Sequence, residues 1–308
     1  MDTPVVGRFA PSPSGRMHLG NLFSALLAWL SARSAGGRML LRIEDLDPDR
    51  CRREFALQLM DDLRWLGLDW DGTPVWQSER TALYADAFSR LEGRGLLYPC
   101  FCTRAQRLAA SAPHRDNGEP VYDGRCSRLS PAEQEVLSAL RRPAWRLRVP
   151  DREIAFTDLC RGPYQENLLR DCGDFILRRS DGVYAYQLAV VVDDALSEVT
   201  EVVRGSDLLS STPRQRYLQE LLGFPAPRYA HVPLLLSPGG RRLSKRDGDL
   251  DMGALRARFS PEELTGRLAR LAGLQETNAP VSPRTLAGRF SWEMVPRADI
   301  VVQPETFG

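Results

Sequence analysis

The chain lacks an excess of charge of either sign: 41 Lys and Arg stand against 40 Asp and Glu in 308 residues, a formal net charge of +1. Bulk charge therefore argues neither for nor against a nucleic-acid partner, and any such contact must come from local patches. Also missing is an apolar run long enough to cross a bilayer, and Met1-Asp2-Thr3-Pro4 shows no basic region followed by an apolar one. A cytoplasmic protein with no membrane contact is expected. There is no repeat at fixed period and no low-complexity tract. Cysteine is sparse: of six, Cys51, Cys160 and Cys172 are scattered, whereas Cys100, Cys102 and Cys126 cluster. That suits a reducing compartment, and a metal better than a disulfide framework. The cluster reads either as a zinc site, with His114 a candidate fourth ligand, or as buried thiols acting as small hydrophobes.

What is present is organised around residues 8–45. The short apolar run Val5-Val6-Gly7-Arg8-Phe9 passes into Pro11-Ser12-Pro13-Ser14-Gly15-Arg16-Met17-His18-Leu19-Gly20-Asn21, where prolines and glycines forbid regular structure. Asn21 reads as a helix cap, because Leu22, Phe23, Leu26, Leu27 and Leu30 then repeat on one helical face until Gly36-Gly37. Met39-Leu40-Leu41-Arg42-Ile43 reads as a buried strand, so the stretch opens a βαβ unit with a parallel sheet. Its turn aims free backbone N–H groups and a positive dipole end above the strand ends, which favours a phosphate, and ATP is expected there.

Further along, Asp47 reads as a cap with Pro48 at the first helical position, and another helix starts near Ser78. From 96 to 180 the pattern changes to short strands (144–149 and 175–179) and Pro-Gly punctuation, as in an insertion between two halves of a sheet. Helical spacing returns at residues 186–191, followed by a β-branched run ending in Arg204-Gly205. Thr212 reads as the cap of a helix with Pro213 at its first position, and residues 231–236 as a buried strand completing the second half. A capping box, Ser260-Pro261-Glu262-Glu263, opens a helical appendage. The expected division is 1–95, first half of a nucleotide-binding fold; 96–180, insertion; 181–240, second half; and 241–308, a loop followed by the appendage.

His18-Leu19-Gly20-Asn21 after the first strand and Arg242-Leu243-Ser244-Lys245-Arg246 after the last resemble the two signatures of class I aminoacyl-tRNA synthetases. With Arg8-Phe9-Ala10-Pro11-Ser12 and Arg42-Ile43-Glu44-Asp45 between them, they resemble the glutamyl branch. Asn21 stands where many class I enzymes have a second histidine, and Arg242-Leu243 replaces Lys-Met, keeping charge and volume. The resemblance implies an α/β fold, a Rossmann-type parallel sheet split by a zinc-bearing insertion. No anticodon-binding domain is expected after the appendage, which is similar to the short paralogues of that branch. Those, the resemblance implies, attach glutamate to queuosine in the anticodon of tRNA(Asp). A minimal enzyme charging a tRNA 3′ end, and a non-catalytic nucleotide- or RNA-binding relic, are the competing readings.

On this resemblance the partners are L-glutamate, ATP with Mg2+, and tRNA(Asp) bearing queuosine, and a monomer is expected. His18 and Lys245 are the catalytic candidates, stabilising charge on the phosphates. Gly20, Asn21 and Ser244 join them in holding ATP. A glutamate pocket needs cations for the carboxylates and an anion for the amine, which points to Arg8, Arg204 and Glu44 at strand ends. Phe9, Ala10, Pro11, Ser12 and Tyr186 complete that pocket by resemblance. For zinc, the resemblance implies Tyr122 as the ligand joining Cys100, Cys102 and Cys126. Arg141, Arg142, Arg146 and Arg148 form a basic stretch available to RNA phosphates.

Overall fold

In the computed structural model, which describes residues 4–103, 121–243 and 250–307, the apolar N-terminal run forms β1 (Val6–Phe9). In the turn that follows, Gly15 takes φ 137°, a conformation that disfavours any side chain. Helix α1 (Leu19–Ser34) buries Leu19, Leu22, Phe23, Leu26, Leu27 and Leu30, each such burial contributing about 1.5–3 kcal/mol. Its start differs from the expectation. His18, extended at φ −108° and ψ 170°, occupies the capping position, and Asn21 Oδ1 accepts from the His18 backbone N–H at 3.2 Å. Asn21 thus supplies the returning half of a capping box from inside the first turn. Strand β2 (Arg38–Ile43) pairs in parallel with β1, Val6 opposite Arg38 and Phe9 opposite Leu41.

The next helix begins later than Asp47-Pro48 suggests. A turn closes from Cys51 N–H to Asp47 O at 2.9 Å, but the extended Arg52 donates its N–H to Pro13 O at 3.1 Å, and α2 (Arg53–Trp65) follows. The tertiary bond to the phosphate-side turn overrides the local cap signal. β3 (Val75–Trp76) pairs in parallel with β2, and α3 (Thr81–Glu92) leads away from the sheet.

The insertion contains β4 (Leu97–Cys100), the exposed α4 (Pro131–Leu140), β5 (Ala144–Leu147), β6 (Glu153–Asp158), β7 (Gly162–Asn167) and β8 (Phe175–Arg178). β4, β5 and β8 form an antiparallel sheet, and β6 with β7 a hairpin. The hairpin escapes sequence pattern because β7, Gly-Pro-Tyr-Gln-Glu-Asn, has no apolar alternation.

The chain returns through α5 (Tyr186–Leu196), β9 (Glu201–Gly205), α6 (Ser211–Leu222) and β10 (Arg228–Val232), with β10 parallel to β9. Thr200 N–H donates to Val6 O at 3.0 Å and seats β9 beside β1, giving the strand order β3-β2-β1-β9-β10. Thr212 is not the cap of α6. Ser210 holds that position, and the Thr212 hydroxyl turns instead to Arg204. Helices α7 (Met252–Arg258), α8 (Pro261–Leu271) and α9 (Pro283–Ala287) bury Leu255, Leu264, Leu268 and Leu286 in the same core as Leu22 and Leu26. Pro233 interrupts the run expected as one strand. Beyond it β11 (Leu235–Leu236) pairs in parallel with β12 (Ile300–Val301). No helix among the described residues is long and apolar enough to cross a membrane.

Candidate active site

The carboxyl ends of β1, β2 and β9 open on a cavity of about 420 Å³. Its wall brings together Arg8, Phe9, Ala10, Pro11, Ser12, His18, Gly20, Asn21, Glu44, Tyr186 and Arg204. The N-terminus of α1 faces the same space, so the backbone N–H end of the helix and its partial positive charge lie where a phosphate would be held. Ser244 and Lys245 lie outside the described residues, but Arg242 and Leu243, immediately before them, line the cavity. On the far side of that segment Met252 N–H donates to Met17 O at 2.9 Å, and Asp251 forms a bridge with His18. Buried Asp62 of α2 ties Arg16 of the turn (3.5 Å) to Arg256 of α7 (2.8 Å).

Charge at and behind the cavity wall is tightly arranged. Arg8 Nε and Arg42 Nη1 share Asp194 Oδ1 at 3.4 and 2.5 Å, and Arg42 Nη2 reaches Glu44 Oε1 at 3.1 Å. Asp193 accepts from Gln77, Arg80 and Tyr84 at 2.8, 2.6 and 2.9 Å. Burial alone would raise the Asp194 carboxyl, yet Arg42 and Arg8 outweigh it and hold the group below the usual carboxylate range. Burial lowers the Arg8 guanidinium, Asp194 opposing and Arg42 and Arg204 adding to the effect. Glu44 moves the other way: burial raises it, and Arg42 and Arg8 offset only part.

Arg204 is held by other means. Its Nε donates to His231 Nε2 at 3.0 Å, Nη1 to Gln215 Oε1 and Tyr186 Oη at 2.9 and 3.2 Å, and Nη2 to Thr212 Oγ1 and the Leu208 carbonyl at 2.8 and 3.3 Å. Behind it, His231 Nδ1 lies 2.6 Å from Asp158 Oδ2.

In the insertion the Cys100, Cys102 and Cys126 sulfurs lie within 4.8 Å of one another, with Cys102 and Cys126 3.5 Å apart. Tyr122 Oη is 3.6 Å from both Cys100 and Cys102 Sγ. A tetrahedral zinc with Zn–S bonds of about 2.3 Å sets sulfurs roughly 3.8 Å apart, so three thiolates and this phenol fit such an ion. His114 lies outside the described residues. Arg146 changes role: it is buried, with Nε 3.3 Å from Cys100 Sγ and its guanidinium carbon 3.7 Å from the centre of the Tyr122 ring. It packs on the cysteine cluster and leaves the exposed basic stretch to Arg141, Arg142 and Arg148.

The family model described as the catalytic domain of class I tRNA synthetases for E and Q matches residues 4–296. The chain belongs to that class I synthetase family. A glutamyl-Q tRNA(Asp) synthetase of Symbiobacterium thermophilum is 52% identical over 97% of this chain and 96% of its own length. One of Nitratidesulfovibrio vulgaris is 50% identical over 96% and 94%. Among solved structures, a glutamate tRNA ligase of Elizabethkingia meningosepticum, crystallised with its amino acid, superposes with a TM-score of 0.83 at 28% identity. That match covers 99% of this chain and 68% of the ligase.

The residues of this synthetase that sequence reasoning passed over are the partners behind the site: Asp194 as the shared counter-ion, and His231, Asp158, Gln215 and Thr212 around Arg204. Asp193-Asp194 ending an apolar helical run was the available signal, since buried carboxylates require cations. Asp158 carries no such mark, because it belongs to the hairpin that pattern does not reveal.

Proposed function

We propose that this synthetase activates L-glutamate with ATP and passes the glutamyl group to queuosine in the anticodon of tRNA(Asp). The observation that carries the first half is the single cavity joining a phosphate-directed helix end to the buried guanidiniums of Arg8 and Arg204 and the half-buried carboxylate of Glu44. A glutamate carboxylate oxygen attacks the α-phosphorus of ATP, and pyrophosphate leaves. His18 at the mouth of α1 donates to the phosphates, and Lys245, following Arg242 and Leu243 on the cavity wall, neutralises the leaving group. Mg2+ accompanies the triphosphate. The charge of Arg204 attracts the substrate side-chain carboxylate, the Tyr186 hydroxyl beside it donates a hydrogen bond, and Glu44 receives the ammonium. An acceptor hydroxyl then attacks the activated carbonyl and AMP leaves.

The choice of acceptor is supported by the relatives, which match over nearly the whole chain. A side cleft of about 270 Å³ shares Ser12, Ser14, Glu44 and Tyr186 with the main cavity and offers the acceptor a way in. ATP–pyrophosphate exchange is expected with glutamate alone, and label from glutamate should enter tRNA(Asp) only when it bears queuosine. Exchange that stays silent until tRNA(Glu) is added would point instead to 3′-end charging.

Cys100, Cys102, Tyr122 and Cys126 would hold a structural zinc, whose chemistry is to bind the insertion's segments together. Elemental analysis of the folded protein should give about one zinc per chain, and chelation should loosen the insertion. A stable, fully folded preparation without metal refutes this.

A further inference from the structure

We propose that the buried His231–Asp158 pair is a positioning device that keeps the charge of Arg204 uncancelled for the substrate carboxylate; this rests on the reading of glutamate as substrate. A guanidinium has only donors, so the 3.0 Å contact from Arg204 Nε requires a lone pair on His231 Nε2 and places the ring proton on Nδ1. Nδ1–H then donates to Asp158 Oδ2 at 2.6 Å. Asp158 is pinned in turn: its Oδ1 accepts from the backbone N–H groups of Cys160, Arg161 and His231 at 3.0, 2.8 and 3.1 Å. Both side chains are fully buried. Burial above all, opposed by Asp158 and aided by Arg204 and Arg161, pushes the imidazole down to about 4, so the ring is neutral at pH 7.

The other donors of Arg204 end on Gln215, Tyr186, Thr212 and a carbonyl, so none of these acceptors is a carboxylate. Arg8 and Arg42 differ, since each pairs directly with Asp194, a carboxylate whose charge Arg204 meets only at longer range and without a hydrogen bond. A buried cation fixed by neutral acceptors keeps its field directed into the cavity that it lines, where an ion pair would have cancelled it. Glutamate and glutamine have nearly the same shape at the side-chain end and differ there in charge. The neutral collar is therefore what makes Arg204 prefer carboxylate to amide. His231 does not line the cavity and acts only through Arg204.

Steady-state exchange, with glutamate, glutamine and ATP varied in turn, tests this. Asp158→Asn keeps an oxygen for the backbone N–H groups but presents an amide N–H to Nδ1, driving the ring proton onto Nε2 against Arg204. The KM for glutamate should rise about tenfold or more, the KM for ATP should hold within about twofold, and preference for glutamate over glutamine should shrink. His231→Gln retains an acceptor near Nε2 and should keep much of the glutamate affinity that His231→Leu loses. That comparison carries the test even if Asp158→Asn does not fold. Equal changes in both KM values, or His231→Gln no better than His231→Leu at equal thermal stability, overturn the proposal. If the wild type fails to exchange with glutamate, the functional reading falls and this proposal with it; normal wild-type exchange with unmoved variants removes this proposal alone.

Discussion

Arg204→Met should lower glutamate-dependent pyrophosphate exchange by about two to three orders of magnitude, the weight of removing one partner from a buried charge pair of roughly 3–5 kcal/mol. Methionine fills much of the volume of the arginine stem, so the loss reads charge and donors more than packing. The effect should fall on the KM for glutamate and spare that for ATP, because Arg204 sits at the end of β9, whereas the phosphate-directed turn follows β1. His231, Gln215 and Thr212 lose a donor together, and some thermal stability should go with it. An unchanged KM for glutamate would remove Arg204 from the substrate pocket.

Asp194→Asn should be the most destabilising conservative change in the site. The wild-type carboxylate answers Arg8 and Arg42, both buried, and the amide would leave their charge uncompensated, a loss of about 3–5 kcal/mol. Glu44 and Asp193 remain near Arg42, at 3.1 and 3.9 Å, which favours the lower end. Its folded-state carboxyl is depressed, so the stability it supplies is present above the unfolded value of about 4 and is lost as pH falls through the folded value. The gap between wild type and variant, read from denaturant unfolding, should be widest near pH 7 and narrow below about pH 4. A gap of constant size across that range would assign the loss to packing.

The parts of the fold legible in the sequence are those with strong periodicity. The leucine face of α1, the β-branched run of β9 and the Pro-Gly turn before His18 each announced themselves, and together they place the cavity. Boundaries were less legible where a tertiary bond outcompeted a local signal: Arg52 N–H went to Pro13, and the Thr212 hydroxyl went to Arg204. The β11–β12 pairing joins residues far apart in the chain, with no local mark on either strand. In the site, Arg8, Glu44 and Arg204, which line one cavity, were singled out from their chemistry at strand ends. The second layer was not, since Asp158 and His231 become a pair only when the hairpin brings β6 beside β10, through the Leu159 N–H to Tyr229 O bond of 2.8 Å.

The stitching of Met252 to Met17, and of Arg16 and Arg256 to Asp62, bears on how the protein is made. The turn that carries His18 leaves the ribosome early, while its anchors on α7 are encoded more than two hundred residues later. A nascent chain halted anywhere before α7 carries the α1 turn without its far support, so nucleotide binding should be among the last properties gained during synthesis.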